Sequence, residues 1–398
     1  MKVLVISQYF YPENFRINDL CNGLKDKGID VTVLTAKPNY PRGKFFEGYS
    51  FFTKNYEIIN DIKVYRSYII PRGDSNKLSL FINYVSFVFF GLLRLATVKD
   101  KFDRVFVYAP SPITVGFIGM AASAMSRSKS YIWVHDLWPE SVKDAGGINN
   151  KIIIWLINLM TKIIYKSYNK VLVQSPYFIE YINKQGVLKD KIIYYPSYAE
   201  DLYLRVDNKK ISANRKLKLL FAGNIGYAQN LEVLIKSAKI LSKKKLDFQF
   251  IIVGDGRDRL RIKNEIYKNK LQDFFNFLGP HPLDKMPHFF SNCDALLVTL
   301  RKSYIFSLTI PGKLQSYLAS GKPIIGSLDG IGNRIIKESK SGFVSNSNDH
   351  IQLAKNILKF SNLNNEQYIK MGDNARNYYL KEFDRETLLN KLIDIFGE

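Results

Sequence analysis

Short apolar runs bounded by turn residues recur along the chain, separated by stretches of helical period. Lys2–Ser7 (KVLVIS) predicts a strand, a polar loop follows, and a helix is expected from about Phe15 to Lys27, closed by Gly28. Val31–Thr35 gives the next strand, and further strands are expected at Lys63–Arg66, Arg104–Tyr108, Tyr131–His135 and Lys170–Gln174. Near-continuous apolar strands alternating with helices predict a parallel sheet covered on both faces. Between Pro196 and Lys216 the pattern weakens into PSYAEDLYLRVDNKKISANRK, which reads as a linker. A second series follows at Leu217–Ala222, Phe248–Val253, Phe275–Leu278, Ala295–Thr299 and Pro323–Gly326. The tail from Asn364 is expected to be helical to its end, with Tyr378, Phe383, Leu388 and Leu392 on one buried face.

Two helices carry more apolar side chain than one buried stripe needs. Leu78–Leu93 (LSLFINYVSFVFFGLL) is shorter than the ~20 residues that span a bilayer, and Ser79, Asn83 and Ser86 form a narrow polar stripe along it. Ile152–Tyr168 sets Trp155, Leu156, Leu159 and Ile163 beside Lys162 and Lys166. Both fit either as core helices of the first domain or as a membrane-docking surface, and a transmembrane span is the weakest of the three readings.

Charge sharpens this picture. The 398 residues carry a net charge of +22, and residues 1–197, with 26 Lys and Arg against 15 Asp and Glu, hold half of it. An excess spread in this way forms no basic tail, and its field favours a phosphorylated substrate, an anionic membrane surface or nucleic acid. Against nucleic acid, the charge is not interleaved with aromatic residues in a recognisable module. The length exceeds what one core usually supports, so two domains are expected. Cys21 and Cys293 are too far apart to suggest a disulfide framework, and the N-terminal run is too short for a signal peptide, so a cytoplasmic location is expected.

In parallel sheets ligands bind at the loops after the carboxyl ends of the strands, and several such loops carry chemistry. After the first strand, YFYPENFR places Glu13 and Arg16 at a helix start. At 133–140, WVHDLWPE brings His135, Asp136 and Glu140 together with Trp138, an aromatic able to stack on a sugar. In the second half, Gly223-Asn224-Ile225-Gly226 and Gly254-Asp255-Gly256 let the backbone approach a ligand closely. In the stretch Ile310–Gly330, Pro311 and Gly312 close a loop before a short helix expected at Lys313–Ser320; Gly321 ends it, and Pro323 leads into the strand. Lys313 in the first turn opposes the helix dipole at a cost of a few tenths of a kcal/mol, which makes sense if a phosphate sits between them. The four histidines are scattered, no Asp-x-Asp pair ends a strand, and no Walker, Gly-x-Ser-x-Gly or dinucleotide fingerprint is present. Neither a metal nor a cofactor is therefore expected.

Five segments, SQYFYPE (7–13), PNYPRGKFFEGY (38–49), VHDLWPES (134–141), FAGNIGYAQNL (221–231) and IPGKLQSYLASGKPI (310–324), together resemble glycosyltransferase family 4 over essentially the whole length. The nearest subgroup is that of bacterial N-acetyl-L-fucosaminyltransferases of O-antigen and capsule assembly. The resemblance implies the α/β fold named GT-B: two Rossmann-like, doubly wound domains facing a cleft. It implies an acceptor-binding domain over 1–198, a nucleotide-sugar domain over 199–375, and a final helix over 376–398 that crosses back. His135 then matches the histidine lining the donor sugar near its anomeric carbon. Asn224, Gly226 and Gly254 lie in loops facing the diphosphate, and Gly279 and Pro280 lie near the base. Pro311, Gly312, Lys313, Gln315 and Ser316 form the diphosphate helix. Glu13, Arg16, Asn39, Tyr40, Asp136, Trp138 and Glu140 fall on the acceptor side. Two departures stand out. Asn224 and either Gln229 or Asn230 replace a basic pair, and Leu308 and Ser316 replace two glutamates, the second of which usually holds the ribose.

The activity implied is transfer from a UDP-sugar to a polyprenyl-diphosphate-linked saccharide, with retention at the anomeric carbon. His135 and Lys313 would be catalytic, and the enzyme would be peripheral on the inner face of the cytoplasmic membrane. A sugar-nucleotide 2-epimerase shares the architecture and is the rival reading.

Overall fold

The computed structural model describes residues 1–73, 76–144, 147–148, 150–207 and 216–398. The chain divides into two units, Met1–Pro196 together with Leu388–Glu398, and Ser197–Thr387.

Eight strands of the first unit are β1 (Lys2–Ser7), β2 (Asp30–Ala36), β3 (Tyr56–Ile59), β4 (Ile62–Ser67), β5 (Arg104–Ala109), β6 (Lys129–Val134), β7 (Lys170–Val173) and β8 (Ile192–Tyr194). They pair in the order β3-β4-β2-β1-β5-β6-β7-β8, parallel except for the β3–β4 hairpin. Its two-residue turn, Asn60-Asp61, has both φ angles positive (50° and 61°), the geometry that tight hairpins favour. Helices α1 (Arg16–Asp26), α2 (Lys77–Leu95), α3 (Gly116–Ser126), α4 (Glu140–Asp144), α5 (Lys151–Ser167) and α6 (Tyr177–Lys184) alternate with the strands. Val3, Leu4, Val5 and Ile6 of β1 are all fully buried, as a central strand covered on both faces requires.

Helix α2 runs 19 residues, three more than its sequence pattern suggests, which makes it long and apolar enough to cross a membrane by length and composition. The face it packs, however, carries Asn83 and Ser86 of the polar stripe together with Phe87, Gly91 and Leu95. The fully buried Asn83 amide donates to Ile70 O (2.6 Å) and accepts from Gln8 Nε2 (2.9 Å), and Ser86 Oγ accepts from Ile70 N (3.0 Å). Leu78, Phe81, Val85, Phe89 and Leu93 face outward instead. Helix α5 buries Thr161, Ile164 and Tyr165 and leaves Ile152, Trp155, Leu156 and Ile163 exposed.

The second unit holds six parallel strands among its described residues: β9 (Leu217–Ala222), β10 (Phe248–Val253), β11 (Phe275–Gly279), β12 (Ala295–Thr299), β13 (Ile324–Ser327) and β14 (Gly342–Ser345). Their order is β11-β10-β9-β12-β13-β14, so the chain reverses direction across the sheet between β9 and β12. Helices α7 (Glu232–Lys243), α8 (Arg259–Lys268), α9 (Met286–Ser291), α10 (Tyr304–Leu308), α11 (Gly312–Ala319), α12 (Gly330–Glu338), α13 (His350–Ser361) and α14 (Asn365–Glu382) surround it. One core gathers Leu219, Phe221, Phe250, Ile252, Leu297 and Ile325 from the strands with Leu234, Ala238, Leu353 and Ile357 from α7 and α13.

The border regions differ from expectation. The stretch expected as a linker opens with a helical turn at Asp201–Arg205, and its residues 208–215 lie outside the described ones. The tail is two helices rather than one, because Asp384 Oδ2 accepts from Thr387 N (2.9 Å) and starts α15 (Arg385–Gly397) afresh. Tyr379 rather than its neighbour Tyr378 is buried, as is Tyr368 earlier in α14. That helix stays with the second unit, so the return to the first begins at Leu388 and not at 376. There Phe396 packs edge-on against Phe106 and Tyr131, and Arg104 Nε donates to Phe396 O (2.5 Å).

Candidate functional site

Parallel strands deliver their following loops to one edge of each sheet, and the candidate residues collect there. In the second unit, the β9 and β10 loops touch through their glycines. Gly223 and Gly254 have φ of 136° and 130°, and a Cβ on Gly254 would lie 2.0 Å from Gly223 O. A Cβ on Gly256 would likewise lie 2.3 Å from Ile225 O. Gly254 N donates to Gly279 O (2.8 Å), which joins the β11 loop and the exposed Pro280 to the same edge. Gly254 and Gly256 need glycine because backbone fills the space a side chain would take, and Gly223 because of its positive φ.

Lys313 stands in the first turn of α11, above this floor. Its ammonium donates to Gln229 Oε1 (2.6 Å), lies 3.7 Å from the centre of the Phe221 ring, and is 3.4 Å from where a Gly223 Cβ would be. Among the described residues no carboxylate pairs with it, and burial pulls its pKa from 10.5 down to about 7. The side chain is half-buried and therefore still reachable. Pro311 precedes the helix, and no side chain caps its N-terminus, where the partial positive charge of the helix concentrates.

The remaining residues expected at the diphosphate helix divide. Gly312 is exposed. Gln315 is fully buried, and its amide, oriented by its neighbours, donates to Pro311 O and Gly312 O (both 3.0 Å). These bonds tie the amide of this fourth residue of α11 back to the loop that opens the helix. Ser316 is 6% exposed. On β9's loop Asn224 is exposed, with Gly226 tucked against its amide. Of the two residues open for the second basic position, Gln229 reaches Lys313, whereas Asn230 is buried and donates to Asn348 Oδ1 (2.8 Å). Arg301, directly after β12, packs 3.7 Å over the Tyr227 ring and escaped the sequence reading. Its place at the carboxyl end of a strand beside the reversal point is the signal that finds it.

In the first unit His135 follows β6, its N donating to Ala109 O (3.1 Å) and its ring edge-on to Trp133 and Tyr108. Nε2 has no partner among the described residues. Burial, and to a lesser degree the Arg16 charge, pulls the imidazole down to about 3, so it is neutral at physiological pH. It can accept or donate a hydrogen bond but is not a cation, which removes the charged role open to a histidine there. Burial pushes the adjacent Asp136 up to about 7. Trp138 is buried, and Glu140 is tied to Lys143 (3.1 Å).

The first loop sorts in the same way. Glu13 is 2% exposed, and its Oε1 accepts from Asn39 N (2.8 Å) and Tyr40 N (2.7 Å); burial outweighs those bonds and raises it to about 7. Asn39 is buried against Arg72 N and Lys37 O. Both anchor a loop whose exposed member is Tyr40, itself covered by the Arg72 guanidinium (4.9 Å). Arg72, which also donates to Tyr9 OH (2.6 Å), is a second cation missed in the sequence. Tyr40, Arg16 and Asp136 are therefore the partly exposed members of this edge, with Glu13, Asn39 and Trp138 buried behind them. No group of three His, Cys, Asp or Glu able to hold a metal occurs among the described residues.

Two parallel-sheet units with ligand loops at the strand ends define a GT-B fold, and comparison with known proteins agrees. The Anabaena protein HepE, solved in complex with UDP, superposes with a TM-score of 0.70 over 100% of each chain at 13% identity. The family model for glycosyl transferases group 1 matches residues 205–378, nearly all of the second unit. The putative colanic acid biosynthesis glycosyl transferase WcaI of Escherichia coli is 24% identical over 81% of this chain and 82% of its own. An uncharacterized glycosyltransferase of Methanocaldococcus jannaschii is 26% identical over 45% of this chain, a match spanning about half (47%) of that relative. These findings support a GT-B glycosyltransferase.

Proposed function

We propose that the protein transfers a glycosyl group from a nucleoside-diphosphate sugar to a hydroxyl of a lipid-linked saccharide during surface-polysaccharide assembly. The observation that carries this is Lys313: a reachable ammonium without a carboxylate partner among the described residues, at an uncapped helix N-terminus over a glycine floor. A departing diphosphate gains negative charge, and fixed N–H groups with an ammonium stabilise it where it develops. That arrangement meets the charge from protein groups, and EDTA is expected to leave turnover unchanged. UDP in the HepE complex supports uridine as the nucleotide, and WcaI supports a polysaccharide pathway. The motif resemblance supports N-acetyl-L-fucosamine or a related amino sugar, with retention, the donor phosphate helping to deprotonate the acceptor. Neutral His135 orients the donor sugar by hydrogen bonding. The outward apolar faces of α2 and α5, in a unit rich in Lys and Arg, support peripheral binding to the inner face of an anionic membrane.

A panel of UDP-sugars with a polyprenyl-diphosphate-linked acceptor, followed by linkage analysis of the product, tests the reading. A new glycosidic bond is expected. No transfer from any donor, or a donor epimerised without acceptor, would overturn it.

A further inference from the structure

A cavity of about 270 Å³ opens in the first unit between the N-terminal half of α2 and the middle of α5. Leu80, Phe81, Tyr84, Val142, Ile148 and Ile157 line it, so its walls are mostly apolar. Such a lining offers few groups to a sugar's hydroxyls and suits a length of aliphatic chain better. Asp136 stands at its wall, in the loop that carries His135. Lys77 supplies a cation at the rim, its Nζ donating to Gly147 O (3.0 Å). Trp138, 8% exposed, lines the same space, and its indole N–H has no partner among the described residues. Phe81, 63% exposed, belongs both to the cavity and to the outward apolar face of α2, so the cavity is continuous with that face.

From this continuity we propose that the cavity is a subsite for the aliphatic chain of the lipid-linked acceptor. The first segment of chain lies between α2 and α5, its anionic linkage meets Lys77, and its sugar end is directed to Asp136. Such a subsite draws the acceptor from the bilayer face without removing its tail from apolar surroundings, which would otherwise cost ~0.8 kcal/mol per methylene. The proposal rests on the reading of the protein as a transferase with a lipid-linked acceptor.

Farnesyl diphosphate bearing a diazirine on its chain, photolysed with the full-length protein, tests the subsite without turnover. Adducts are expected in peptides containing residues 80–84 and 157, and an excess of unlabelled farnesyl diphosphate should suppress them. Adducts elsewhere, or suppression by inorganic diphosphate alone, would overturn the proposal. Leu80→Trp and Ile157→Trp fill the cavity from partly exposed positions. Each should lower labelling and raise KM for a polyprenyl-linked acceptor about tenfold or more over its effect on the same saccharide with a short soluble aglycone, the scale of lost pocket contacts. Equal shifts for both acceptors, or none, would refute the chain subsite. Specific labelling with no transfer to any acceptor would sink the transferase reading and leave the subsite standing.

Discussion

Replacing Lys313 with methionine, which keeps the length of the side chain and removes its charge, should make the protein more stable and less active together. The depression of its pKa from 10.5 to about 7 corresponds to about 4–5 kcal/mol of penalty on the charged form. The side chain is half-buried rather than sealed, and the Gln229 bond and Phe221 contact return ~1–2 kcal/mol, so about 1–3 kcal/mol of net stabilisation is expected on going to Met. The sign follows from proton counting. Between pH 7 and 10.5 the unfolded lysine binds a proton that the folded one lacks, so wild-type stability rises with pH across that window. The advantage of Lys313→Met is then largest below pH 7 and closes as pH approaches 10.5. UDP should reverse the order by stabilising the wild type more than the variant, through mass action on the folded state. Thermal melts at pH 6 and pH 9, each with and without UDP, make the comparison, and turnover should fall ~10²–10³-fold. A variant that melts lower at pH 6, gains equally from UDP and keeps its turnover would show that Lys313 is structural.

Other expectations can be checked as directly. Because burial holds His135 near pH 3, kcat should show no limb near the ordinary imidazole value, and His135→Ala should lower kcat by ~10²-fold or more; steady-state kinetics from pH 5 to 8 measure both. Glu13 holds its proton up to about pH 7, so the folded state binds more protons than the unfolded between 4.5 and 7, and stability falls as pH rises through that window. Glu13→Gln keeps an oxygen for Asn39 N and Tyr40 N and removes the penalty; it should gain up to about 3 kcal/mol over wild type at pH 8 and little at pH 4.5, read from urea melts. Phe81→Asp combined with Trp155→Asp, at exposed positions, should weaken co-sedimentation with anionic vesicles about tenfold or more. Unchanged sedimentation would argue that neither helix meets the bilayer.

The strand series was legible because a buried parallel strand must be apolar along its whole length, and every expected strand is present within a residue or two. The three that escaped are short and lie at sheet edges. β3 was nonetheless announced by Asn60-Asp61, a pair suited to two successive positive φ angles. Lys313, Gly223 and Gly254 in the second unit, and His135 in the first, were legible because topology alone sends strand-end loops to one edge of each sheet. What sequence did not reveal is which neighbour of a functional residue faces outward. Gln315 and Ser316 sit two and three positions beyond Lys313, yet both are buried: Gln315 lies on the opposite side of the helix, and Ser316, on the same face as Lys313, is covered. The choice between Gln229 and Asn230 is of the same kind, settled by a left-handed Asn230 (φ 51°) that turns its amide away to Asn348.

Helix α2 shows why periodicity alone gives a stripe and not a direction. An amphipathic pattern is ordinarily read with the apolar side inward, on the premise that the solvent is water. Here Asn83 and Ser86 complete buried hydrogen bonds to Gln8 and to the backbone of Ile70, and leaving such groups unpaired would cost ~1–3 kcal/mol each. Asn83 and Ser86 therefore lie on the inner face beside Phe87 and Leu95, and most of the large apolar side chains are left outside. The fractional exposures of Leu78, Phe81, Ile82, Val85, Phe89, Leu92 and Leu93 amount to between about three and four fully exposed side chains. At ~1.5–3 kcal/mol each, transferring them out of water is worth up to about 5–10 kcal/mol. In gross terms that is comparable to the ~8 kcal/mol of a micromolar association, and the cost of immobilising the protein on a surface is drawn from it. Docking also requires that Asn83 and Ser86 keep their inward bonds, since a helix withdrawn into the bilayer would forfeit them.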